Sequence, residues 1–220
     1  MSTTPLVKIC GVRRMEDARL AAELGAAAIG FVFWPDSPRF IDPYRARPIA
    51  RELPPFVTRV GVFVDQPIDY VRGVARLVNL GAIQLHGHES PDYMAALARA
   101  GAPPIIKSLA VTDAFKPAAA LASIPEAVTV LLDAHDPIKR GGTGRTIDWT
   151  LAAATARLRP VMLSGGLKAE NVVEAIAQVQ PYAVDVSSGV ESAPGVKDAV
   201  KLRALFSAVA QAGAEIRSQG

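Results

Sequence analysis

The chain contains one cysteine, Cys10, which closes the apolar run Leu6 to Cys10 and is followed by Gly11. A free cysteine often serves only as a small buried hydrophobe, but a thiol at a strand end beside a turn can act as a base once ionised. An unperturbed thiol titrates near 8.5 and is about a few per cent ionised at neutral pH, so such a base needs positive charge close by. Lys8, two residues earlier on the same strand face, can supply it; its other reading is an ion pair inside the fold. The matching acid is Asp133, which follows Thr129-Val130-Leu131-Leu132. Burial behind such a run favours a protonated carboxyl ready to donate, and a thiolate facing it makes a working acid/base pair. Asp133 can also be read as a loop carboxylate paired with Lys139 or Arg140, and Asp136, before Pro137, is its rival as the acid.

Further polar residues close other apolar runs. Arg39 follows Ser37-Pro38, where proline restricts the backbone, and its planar fork suits a carboxylate; a solvated arginine is the alternative. His86, between Leu85 and Gly87, is a polar group to line a site. His88 lies two residues on, without carboxylates at metal-ligand spacing, so no metal is expected. Asp65 and Asp185 complete this set. Three glycine-bearing loops stand out: Gly141-Gly142-Thr143-Gly144, Ser164-Gly165-Gly166 and Ser187-Ser188-Gly189. Glycine lets backbone N–H groups approach an anion closely, and the last two loops together point to phosphate rather than to a tight turn alone.

Such residues need elements that gather them. Apolar, β-branched runs recur at Leu6 to Cys10, Ala28 to Phe33, Thr58 to Val64, Ala82 to Leu85, Pro104 to Leu109, Thr129 to Asp133, Val161 to Ser164 and Ala183 to Val186. Stretches of helical period follow them at Met15 to Leu24, Tyr44 to Glu52, Ile68 to Val78, Pro91 to Arg99, Val111 to Ala122, Asp148 to Ala156, Ala169 to Gln178 and Lys197 to Gln211. Strands of nearly continuous hydrophobics are covered on both faces, as in a parallel sheet. Eight units in 220 residues, about 27 residues each, predict one α/β domain over 1–220, a compact (β/α)8 TIM barrel whose site forms at the carboxyl ends of its strands. A doubly wound sheet would carry an early Gly-x-Gly-x-x-Gly turn, whereas the first strand ends Lys8-Ile9-Cys10-Gly11.

Composition narrows the function classes. At 50% apolar and 20% charged residues the chain is too apolar for general disorder. Its 24 basic and 21 acidic residues are scattered, without the basic block of a nucleic-acid binder. No apolar segment reaches the roughly 18 residues of a membrane helix, and Met1-Ser2-Thr3-Thr4-Pro5 is not an export signal. The expected setting is a reducing cytoplasm, with a monomer or homodimer and no membrane or nucleic-acid partner.

The order and spacing of several motifs resemble the phosphoribosylanthranilate isomerase family of tryptophan biosynthesis, nearly end to end. They include Lys8-Ile9-Cys10-Gly11, Gly30-Phe31-Val32-Phe33 with Ser37-Pro38-Arg39, Val60-Gly61-Val62-Phe63-Val64, Gln84-Leu85-His86-Gly87, Leu132-Asp133 with Asp148-Trp149, Leu163-Ser164-Gly165-Gly166-Leu167 and Val184-Asp185-Val186-Ser187-Ser188-Gly189-Val190-Glu191 with Lys197-Asp198. The resemblance implies a cofactor-free Amadori rearrangement of a phosphorylated sugar–anthranilate, with Cys10 as general base and Asp133 as general acid. It also implies that Arg39 holds the anthranilate carboxylate, and that the loops of Gly165-Gly166 and Ser187-Ser188-Gly189 hold the phosphate. Lys8, His86, Gly142 and Asp185 complete the expected substrate contacts. Ile147 and Ser164 depart from the family's usual residues at positions expected to lie away from the chemistry. A ribulose-phosphate epimerase would need paired histidines and aspartates around a metal, and an indole-glycerol-phosphate synthase a Lys and Glu set. Neither pattern is found at the strand ends, and a silent phosphate-binding barrel would need neither Cys10 nor Asp133.

Overall fold

The computed structural model describes residues 4–134 and 147–218; Asp136, Lys139, Arg140 and the loop bearing Gly142 lie outside the described residues. Eight parallel strands close into a barrel in chain order: β1 Leu6–Ile9, β2 Ala28–Val32, β3 Thr58–Phe63, β4 Ala82–Leu85, β5 Ile105–Val111, β6 Thr129–Ala134, β7 Val161–Leu163 and β8 Ala183–Val186. β8 pairs back on β1 with Lys8 opposite Asp185. The outer helices are α1 Met15–Glu23, α2 Pro43–Glu52, α3 Ile68–Val78, α4 Pro91–Arg99, α5 Pro117–Ala122, α6 Trp149–Leu158, α7 Val172–Val179 and α8 Ala199–Ser218. This is the (β/α)8 TIM barrel that the repeating pattern predicts.

The pleat explains where the site sits. Successive side chains on a strand point to opposite faces, so Val130 and Leu132 of β6 pack in the layer between strands and helices while Leu131 points into the lumen. Leu131 belongs to an apolar lumen layer with Val60, Ala82, Ile106, Met162 and Ala183. Two residues further along the same strands, the same faces carry Val62, Gln84, Ser108, Asp133, Ser164 and Asp185. One pleat repeat therefore turns an apolar floor into a polar mouth. On β2 the corresponding position is Gly30, where a Cβ would lie 2.9 Å from Cys10 Sγ and 3.3 Å from Lys8 Cε. The missing side chain makes room for both.

Several helices depart from the expected bounds for local reasons. Residues 105–111 stay in the sheet, with Val111 opposite Ala134, and α5 starts only at Pro117, which suits a first helical position because it lacks an N–H. At α7, Asn171 Oδ1 accepts from Lys168 N at 2.9 Å, which holds the preceding residues as a turn until Val172. Before α8, a turn at Ser188–Val190 leads into an antiparallel hairpin, β9 Glu191–Ala193 with β10 Val196–Lys197. Lys197 belongs to that hairpin, and Asp198 then caps α8 by accepting from Val200 N at 2.8 Å and Lys201 N at 3.0 Å.

Candidate active site

The open end of the barrel is a mouth with Cys10, Arg39, His86, Asp133, Asp185 and Ser187 among its lining residues. Six of the residues singled out in the sequence thus converge from β1, the β2 loop, β4, β6 and β8. Val32, Trp34, Val62 and Val64 form an apolar wall on the β2–β3 side. Gln84, Ser37 and Ser164 also line the mouth, so Ser164 lies nearer the chemistry than expected.

Lys8 lies just below, with Nζ 2.7 Å from Asp185 Oδ1 in a buried ion pair. Burial pulls the Lys8 ammonium down, but Asp185 and Cys10 outweigh it and leave its pKa raised. Cys10 itself is 8% exposed. Burial lifts its thiol above the ordinary value; Lys8 and Lys197 pull the other way, and Asp185 adds to the rise. Lys8 therefore acts as the sequence suggests, yet desolvation and the neighbouring carboxylate win.

Asp133 is buried, with Oδ1 accepting from Ala134 N at 2.9 Å and Oδ2 3.2 Å from His86 Nε2. The other nitrogen of His86, Nδ1, lies 3.0 Å from Gln84 Nε2. The backbone around His86 is clamped from β5: Lys107 Nζ donates to Leu85 O at 3.3 Å, Gly87 O at 2.8 Å and Glu89 Oε2 at 3.1 Å. His88 is exposed and turns away, its N–H donating to Asp65 Oδ1 at 2.5 Å. Asp65 thus braces a loop and is not among the mouth's lining residues.

Arg39 is not solvated. Its Nε and Nη2 donate to Glu191 Oε1 at 2.9 Å and Oε2 at 2.6 Å, which uses two of its five N–H groups. Lys197 Nζ joins the same carboxylate at 2.8 Å and also donates to Cys10 O at 2.6 Å and Ser187 O at 3.2 Å. Burial works to raise the Glu191 carboxyl, but Arg39 and Lys197 overcome it and hold the group below its ordinary value. This buried strap ties together the ends of β1 and β8, the β2 loop and the hairpin. Its members Glu191 and Lys197 were not singled out individually in the sequence, nor were Gln84, Glu89 and Lys107. For Gln84 the signal was present: it stands two residues before His86 on one strand face.

The two glycine loops abut. Gly165 and Gly166 follow β7 with φ of +87° and +64°, a left-handed turn that side chains resist. Asn171 Nδ2 pins it by donating to Gly166 O at 3.0 Å. Gly189, after β8, packs its backbone directly on that of Leu167. Among the described residues, no group of three or more His, Cys, Asp or Glu is placed to hold a metal ion. No described helix is long and apolar enough to cross a membrane.

The family model for N-(5'phosphoribosyl)anthranilate (PRA) isomerase matches residues 7–208. A curated N-(5'-phosphoribosyl)anthranilate isomerase of Geobacter metallireducens is 48% identical over 199 residues, covering 90% of this chain and 95% of the relative. The crystal structure of the phosphoribosyl anthranilate isomerase of Thermus thermophilus superposes with a TM-score of 0.85 at 45% identity, covering 94% of this chain and 98% of the other. A second structure of such an isomerase, in complex with reduced 1-(o-carboxyphenylamino)-1-deoxyribulose 5-phosphate, gives a TM-score of 0.83 at 40% identity over 94% of this chain and 99% of the other. A match across nearly the whole barrel, at this identity, places the chain in the N-(5'-phosphoribosyl)anthranilate isomerase family.

Proposed function

We propose that residues 1–220 act as one catalytic domain that rearranges N-(5-phosphoribosyl)anthranilate to 1-(2-carboxyphenylamino)-1-deoxyribulose 5-phosphate, with Asp133 as acid and Cys10 as base. The observation that carries this reading is that one mouth holds both groups in a barrel of this family. Asp133 donates its proton to the furanose ring oxygen, the C1–O bond breaks, and the anthranilate nitrogen pair forms a Schiff base at C1. Cys10, ionised, then takes the proton from C2, and the electron pair of that C–H bond moves toward C1 and nitrogen to give an enolamine. Protonation at C1 and loss of the C2 hydroxyl proton complete the ketone, and exchange with solvent resets both groups. No atom is gained or lost: one C–O bond of the ring opens, and the remaining steps are proton transfers.

Around these steps, Arg39 presents the N–H groups not spent on Glu191 to the anthranilate carboxylate, and Trp34, Val32 and Val62 cover the ring. The backbone N–H groups of the abutting Gly165-Gly166 and Ser187-Ser188-Gly189 loops receive the phosphate. Gly142, outside the described residues, is kept as a proposed substrate contact. Lys8 and Asp185 set the charge beneath Cys10, and His86 aims the Asp133 carboxyl. Because the base is a thiol, the reading also carries a reducing cytoplasmic compartment. Fluorescence-monitored consumption of freshly made phosphoribosylanthranilate tests it. Cys10→Ala and Asp133→Asn are expected to lower kcat by about a hundredfold or more, with affinity for the reduced product within several-fold of wild type. Near-normal turnover in both variants refutes the assignment.

A further inference from the structure

Among the described residues, two buried side-chain polar atoms lack a hydrogen-bond partner, Gln84 Oε1 and Trp149 Nε1. Of these two residues, Gln84 lines the mouth. It is 1% exposed, on β4, in the same lumen layer as Asp133 and Asp185. Its other end is engaged, since Nε2 lies 3.0 Å from His86 Nδ1. With Nε2 donating there, the imidazole keeps its proton on Nε2, toward Asp133 Oδ2, and Oε1 is the end left over. A buried carbonyl with no donor is unfavourable, and native structures leave one where a ligand or water completes it.

We propose that Gln84 is a substrate-binding residue whose Oε1 accepts a hydrogen bond from the C3 hydroxyl of the phosphosugar. The proposal rests on the reaction assigned above. An amide oxygen only accepts, so its partner is neither a ketone nor a phosphate or carboxylate oxygen. The oxygen on C2 starts as a hydroxyl and ends as a ketone, and the oxygen on C4 starts in the ring and ends as a hydroxyl. The C3 oxygen bears a proton from substrate through intermediates to product, so a fixed acceptor serves it throughout. C3 also lies between C2, where Cys10 removes a proton, and C4, whose oxygen Asp133 protonates. Gln84 thereby links sugar placement to the aim of the acid through its two ends.

Calorimetric titration with reduced 1-(o-carboxyphenylamino)-1-deoxyribulose 5-phosphate and its 3-deoxy counterpart tests this. Wild type is expected to bind the parent about tenfold more tightly than the 3-deoxy ligand. Gln84→Met, which keeps length but removes the acceptor, is expected to bind both alike, near the wild-type affinity for the 3-deoxy ligand. Equal affinity of wild type for the two ligands overturns the proposal without any variant. Equal weakening of both ligands in Gln84→Met overturns it as well, because the residue then acts only through His86. Turnover of phosphoribosylanthranilate by wild type, measured separately, tells failure of this contact from failure of the underlying reaction.

Discussion

Cys10 sits between opposing influences. Burial and Asp185 favour the thiol, Lys8 and Lys197 favour the thiolate, and the first pair prevails. The ion pair beneath it explains why a lysine so close does not suffice: Lys8 spends much of its field on Asp185 at 2.7 Å. Asp185→Asn keeps an acceptor for Lys8 and removes the negative charge, so the thiol pKa is expected to fall. Because Cys10 is the only cysteine in the chain, alkylation by iodoacetamide reports on it alone. Below the thiol pKa, the thiolate fraction rises about tenfold for each unit by which that pKa falls. The alkylation rate of wild type should therefore climb from pH 7 to pH 9 without levelling off. The Asp185→Asn rate at pH 7 should exceed that of wild type by about threefold or more. An equal or slower rate in the variant, or a wild-type plateau near pH 7, refutes this account of the charges. Cys10 and Asp133 were legible in the sequence because each ends an apolar run with a group able to move protons. Gln84 was not singled out: its place two residues before His86 set it on the same strand face, but an uncharged amide does not declare a role until its buried, unpaired oxygen is seen.

The strap of Arg39, Glu191 and Lys197 joins elements that are remote in sequence, with Arg39 and Glu191 separated by 152 positions. A pairing of that span leaves no periodic trace, which is why a surface reading stayed open for Arg39 and Lys197 read as the start of a helix. Strand positions, by contrast, were legible because eight apolar runs alternate with helical stretches along the chain, and β5 outran its expected end only where its pairing with β6 continues. The strap also makes stability depend on pH. Glu191 is held below its ordinary carboxyl value by Arg39 and Lys197. Its stabilising contribution is thus complete above the unfolded-state value near 4.5 and is lost as pH falls through the lower folded-state value. Between about pH 5 and pH 3, thermal melting of wild type should drop more steeply than that of Glu191→Gln. At pH 7 the variant should melt lower and show a raised KM, because Arg39 has lost the carboxylate that fixes its fork. Parallel melting curves for the two proteins across that range would remove Glu191 from the acid response.

The closed barrel separates durability from chemistry along its axis, and the division falls within one pleat repeat of β6. Leu131 is fully buried in the apolar lumen floor, while Asp133, two residues on and on the same face, lines the mouth. A barrel interior is packed as tightly as any core, so Leu131→Ala leaves a cavity that neighbouring strands, each fixed by two ladders, can fill only in part. The expected cost is about 2–5 kcal/mol in urea-induced unfolding, with KM and kcat of the folded fraction within about twofold of wild type, since the mouth's hydrogen bonds do not involve the floor. Asp133→Asn is nearly isosteric and keeps an oxygen for Ala134 N, so it should unfold within about 1 kcal/mol of wild type while losing turnover. The two variants therefore form a crossed pair, checked by unfolding and steady-state kinetics on the same preparations. Should Leu131→Ala abolish turnover while leaving stability intact, the floor and the mouth would be one functional unit, and the layered division of the lumen would be wrong.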